Sequence, residues 1–73
     1  MSLKESIRAS YIALLQETYP FYVEGSRPLA LAHVAADAAL AGKVKLKGDC
    51  WEMALIANGL SPRITLKALA ALP

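Results

Sequence analysis

The chain is nearly without the residues that staple or metallate a small protein. Cys50 is its only cysteine and His33 its only histidine. One cysteine excludes a disulfide within the chain, and a single distant histidine offers no structural metal cluster. Charge is scarce too: 19% of residues are charged, against roughly 25% in ordinary soluble domains. Long apolar runs are missing as well. The longest are Leu29 to Val34 and Leu66 to Leu72, the latter interrupted by Lys67, and a bilayer span needs roughly 20 residues. No membrane partner is therefore expected. The opening MSLKES has no apolar signal-peptide core, so a cytoplasmic location is expected, and a lone cysteine fits a reducing compartment. Catalytic signatures are also lacking: there is no G-x-S-x-G, no phosphate-cradling glycine loop and no carboxylate cluster. The expectation is a protein that is not an enzyme and carries no cofactor.

What is present is apolar. Hydrophobic residues make up 56% of the 73, and the mean hydropathy is +0.38. A chain of this length forms one small domain, residues 1–73, with a modest core. So small a body cannot hide that much apolar surface within itself, although alanine accounts for part of the excess. Burial against a second copy, a homodimer, is the expectation.

The net charge of +2 is unevenly spread. Residues 1–42 set Lys4, Arg8 and Arg27 against Glu5, Glu17, Glu24 and Asp37. Residues 43–73 set Lys43, Lys45, Lys47, Arg63 and Lys67 against Asp49 and Glu52. The basic excess therefore sits in the second part, which is compatible with an anionic partner.

Spacing predicts an all-α or nearly all-α fold: four short helices and one short extended segment near residues 43–47. Ser2 and Glu5 form a capping-box pattern ahead of an apolar stripe at Leu3, Ile7, Tyr11, Leu14 and Leu15. Pro20 should stop that helix near Thr18 or Tyr19. The following TYPFYVEGSRP, too apolar to extend into water, should pack over the core. The second helix should open at Pro28 and stop at Gly42. It is apolar almost all round, which predicts burial on most sides, at the centre of the domain or at a subunit contact. KVKLK alternates strictly, so Val44 and Leu46 should face inward in a segment that pairs with another. The third helix should open at Asp49, with Glu52 completing a capping box, and end at Asn58-Gly59 under Leu60. The fourth should follow at once, with Ser61 as N-cap and Pro62 in its first position.

That last junction, NGLSPRIT, has the look of a helix-turn-helix corner over about residues 51–72. In such a corner the second helix lays its N-terminal side chains in the major groove of DNA. Arg63, Thr65 and Lys67 would supply them, and the lysines Lys43, Lys45 and Lys47 could grip phosphates. The plainer reading is an αα-corner with standard caps and a solvated lysine run. Against the DNA reading, Leu55 and Thr65 stand where a small residue and an aliphatic one are usual, and the fourth helix is rich in alanine and leucine.

Three other features read more simply. His33 and Asp37, four apart, should bond each other or solvent. Cys50 should be a small packed side chain beside Trp51. The aromatics Tyr11, Tyr19, Phe21, Tyr22 and Trp51 could stack on bases but read better as core and packed-loop residues. The function expected is non-catalytic binding by a small dimeric DNA-binding transcriptional regulator, with Lys43, Lys45, Lys47, Arg63, Thr65 and Lys67 as contacts. The alternative is a protein–protein adaptor or inhibitor that docks through an apolar helical face.

Overall fold

The computed structural model describes residues 1–73 and contains four helices and no strand. The first, α1, runs Leu3–Thr18. Ser2 caps it, its hydroxyl accepting from the Glu5 N–H at 3.2 Å. The Glu5 carboxylate takes its bond from the Ser2 hydroxyl, so the capping box closes side chain to side chain. Tyr19 leaves the helix in an extended conformation just before Pro20, as the proline demands.

The second helix, α2, spans Arg27–Leu40. It begins one turn position earlier than Pro28 suggests, because the Ser26 hydroxyl caps it by accepting from the Leu29 N–H. It ends in a complete Schellman arrangement. Gly42 adopts φ +76°, its N–H reaches the Ala39 carbonyl, and the Lys43 N–H reaches Ala38. Helix α3, Asp49–Ala57, closes in the same way: Gly59 donates to Ile56 and Leu60 to Leu55. At its other end the expected capping box is absent. Gly48 is the N-cap and makes no side-chain bond, so Asp49 and Glu52 act only through their charge on the first turn.

The fourth helix departs furthest from expectation. It is α4, Leu66–Ala70, with Thr65 as its N-cap. Ser61 does not cap it; its hydroxyl accepts from the Arg63 N–H, and Ile64 N–H bonds the Ser61 carbonyl. Pro62 and Arg63 are thus the middle of a turn, a role Ser-Pro serves as well as it serves a helix start. One rotation of helix is all that remains.

The helix apolar almost all round, α2, shares the centre with α1: α1 packs against α2 and α3, and α2 against α1 and α4. Ala32, Ala36 and Ala39 are buried, and their small side chains let α2 lie close against its neighbour. Its outer face stays in water, with Leu31 55% and Val34 65% exposed. The core is thirteen residues, with Ile7 and Leu55 its largest fully buried side chains, and no polar residue is buried. Ile12 joins it although it lies off the stripe read from spacing.

Residues 43–48 are an irregular connection. Val44 to Lys47 make no backbone–backbone hydrogen bond, so pairing within the chain, with residues 21–23, does not occur. Val44 is exposed, and only Leu46 packs on the core. Alternation placed the lysines outward correctly, but a five-residue run without a partner strand has nothing to hold it as a strand. No helix is long and apolar enough to cross a membrane.

Candidate nucleic-acid interface

The frame of the site is the seam between α1 and α3. Asn58 fastens one end. Its amide donates to the Ser10 hydroxyl at 3.1 Å and the Ala54 carbonyl at 2.8 Å, and its oxygen accepts from Ser6 at 2.6 Å. At the other end the Cys50 thiol lies 3.7 Å from the Thr18 hydroxyl, so the two helices run antiparallel. Between them Trp51 meets Tyr11 edge-to-face, with ring centroids 5.3 Å apart. Burial pushes the Tyr11 phenol up from its ordinary pKa, and Tyr22 and Cys50 add to the shift.

Two surface segments flank the exposed edge of this seam. Lys45 and Lys47 come from the connection before α3, and Pro62 and Arg63 from the turn after it. Together with Leu46, Trp51 and Glu52 they line an open groove of about 580 Å³. The chain's one ion pair, Arg8–Asp37 at 2.6 Å, lies elsewhere. Lys45, Lys47 and Arg63 therefore converge on the groove with no carboxylate in ion-pair contact, and Glu52 is the only acid lining it. Exposed cations outside an ion pair are free to attract an anion.

The six basic and polar candidates divide evenly. Lys45, Lys47 and Arg63 share the groove; Lys43, Thr65 and Lys67 are exposed but do not line it. The Thr65 hydroxyl is committed to the Ala68 N–H. Leu46, Glu52 and Pro62 are not among the candidates and Trp51 reads as core, because nothing in the spacing shows that the segments before and after α3 border one groove. The expected two-helix corner is not a packed unit. No Cα of α3 lies within 8 Å of one in α4, and Lys4 instead ties α4 to α1 by bonding the Ala70 carbonyl at 2.8 Å.

His33 and Asp37 do not pair. Asp37 accepts from Arg8 across the α1–α2 contact, which raises the Arg8 pKa through the hydrogen bond first and the opposite charge second. No three His, Cys, Asp or Glu side chains gather closely enough to hold a metal ion. The chain matches no family model, no curated protein and no solved structure.

Proposed function

We propose that this chain is a small non-catalytic protein that binds nucleic acid by its phosphate backbone along the groove between residues 45–47 and 62–63. The observation that supports the reading is the convergence of Lys45, Lys47 and Arg63 without a mate. Phosphates spaced along a strand suit cations spaced along a groove. Lys43 and Lys67, exposed on adjoining segments, add attraction at longer range. Five residues of α4 extend only about 7.5 Å. A recognition helix lying in the major groove is therefore a poor description of this contact, and backbone grip is the better one.

A dimeric regulator is a natural extension of the proposal. Leu31 and Val34 leave an apolar strip on α2, and a second copy docked there would double the cationic footprint. The same strip favours a second reading, a protein partner docked on α2 by its own apolar face. Light scattering separates the two: a mass of twice 7.8 kDa without added partner supports the dimer, and a monomeric mass supports the docking reading.

The nucleic-acid reading is tested by fluorescence anisotropy with labelled DNA at two salt concentrations. Three phosphate contacts correspond to a loss of about 40-fold in affinity between roughly 50 and 200 mM salt. Binding that is absent at the lower salt, or indifferent to salt, sinks the reading.

A further inference from the structure

All five aromatic residues of the chain line a single hollow of about 220 Å³. Trp51 and Tyr11 form its floor, both buried in the core. Tyr19, Phe21 and Tyr22 form its rim, with ring centroids 4.7 to 5.8 Å apart. The rim is not core: Phe21 is 52% and Tyr19 43% exposed. Tyr19 and Phe21 stack on each other, and being half in water they leave further ring surface on which another flat group can stack. Gly25, at φ +80° with open space around it, turns the chain back after these residues.

The position of the hollow gives it meaning. Lys47 and Trp51 line both it and the basic groove, so an aromatic recess and a row of cations share one wall. A volume of about 220 Å³ is below the roughly 300 Å³ of the smallest drug-sized sites and suits one flat ring system. We infer that the hollow receives an unpaired base of a single-stranded nucleic acid whose phosphates run along Lys45, Lys47 and Arg63. The inference rests on the nucleic-acid reading above and narrows it. Base–aromatic stacking beside a cationic groove is how single strands are held without base-edge readout, whereas a base inside a duplex is already stacked and cannot enter. A cationic group, the other ligand class that aromatic recesses favour, would meet Lys47 at the wall and the groove's cations beyond it. Asp49 also lines the hollow, but Lys47 opposes its charge in the same wall.

The experiment compares three labelled ligands of about twelve nucleotides on the intact protein at low salt: a single strand, the same backbone with abasic sites, and a duplex. The single strand should bind about tenfold more tightly than the abasic strand and more tightly than the duplex. Phe21→Ala should remove most of that advantage, and Phe21→Trp should restore it. If single and abasic strands bind alike, or the duplex binds best, the base-receiving hollow is overturned while the groove reading survives. If none of the three binds, both fall. The abasic comparison uses the unaltered chain, so it decides the matter even if a rim variant folds poorly.

Discussion

The α1–α3 seam and the groove beside it meet at Trp51 yet are built on opposite terms. In the seam, apolar side chains interlock and the polar groups are answered: Asn58 makes three hydrogen bonds, and no buried side-chain nitrogen or oxygen lacks a partner. In the groove, three cations and Glu52 line one open surface, and none of the cations is in an ion pair. The seam serves folding, since every contact in it is formed by the chain alone. The groove leaves three exposed cations outside any ion pair, and they are the groups that the proposed phosphate contact would use. In a chain with thirteen buried residues, the packed seam and the charged groove lie beside the same indole.

The comparison breaks most visibly if the seam is emptied. Leu55 is 1% exposed, and Leu55→Ala should cost about 2–5 kcal/mol, a large part of the roughly 4–11 kcal/mol expected of a 73-residue domain. Urea denaturation checks it, and a loss well under 1 kcal/mol would show that the seam is not what holds the fold.

Gly42→Ala comes next. The left-handed backbone costs an ordinary residue about 1–2 kcal/mol, and the added Cβ would sit 2.8 Å from the Ala70 Cβ and 3.1 Å from the Leu66 carbonyl oxygen. Destabilisation of about 2 kcal/mol or more is expected. Amide NMR should show the largest shifts in α4, which the new methyl group must displace from α2.

Neutralising the groove should do the reverse. Lys45→Gln, Lys47→Gln and Arg63→Gln together should change stability by no more than about 0.5 kcal/mol, because the three side chains are exposed and unpaired. The same triple variant should flatten the salt dependence of DNA binding by about one phosphate contact per residue removed. A collapse of stability without a change in salt slope would reverse the roles assigned to the two regions.

The smallest effect sharpens the seam. A Tyr11 phenol whose pKa is raised by burial holds its proton in the folded state at a pH where the unfolded chain has lost it. Its contribution is therefore intact below about pH 10 and declines as pH rises through the folded pKa. Tyr11→Phe should be nearly neutral at pH 7 and should lessen the alkaline loss of stability, followed by circular dichroism from pH 8 upward. Identical alkaline profiles would show that the phenol is not a source of that loss.

Much of the molecule was legible because it is made of bonds that close within a few residues. Ser2 and Glu5 marked a helix start, Pro20 a stop, and Gly42 and Gly59 the left-handed turns that end α2 and α3. Each is decided by backbone sterics and by donors three to five positions away, and these are the same in any tertiary setting. The local code failed where two answers were equally good. Ser61-Pro62 reads as a helix start or a turn, and only the attachment of Leu69 to the core and of Ala70 to Lys4 selects the turn with a late, short α4. KVKLK likewise showed which way its lysines point but not that it would lack a partner strand within the chain.

The amino-acid order by itself determined α1, α2 and α3, the apolar excess and the basic second half, because composition and near-neighbour bonding need no fold. Tertiary structure alone decided that α1 and α2 share the centre, that Lys45, Lys47 and Arg63 line one groove, and that all five aromatics line one hollow. Such convergences join residues far apart in sequence through the packing of whole helices, and no spacing rule along the chain records the angle at which two helices meet.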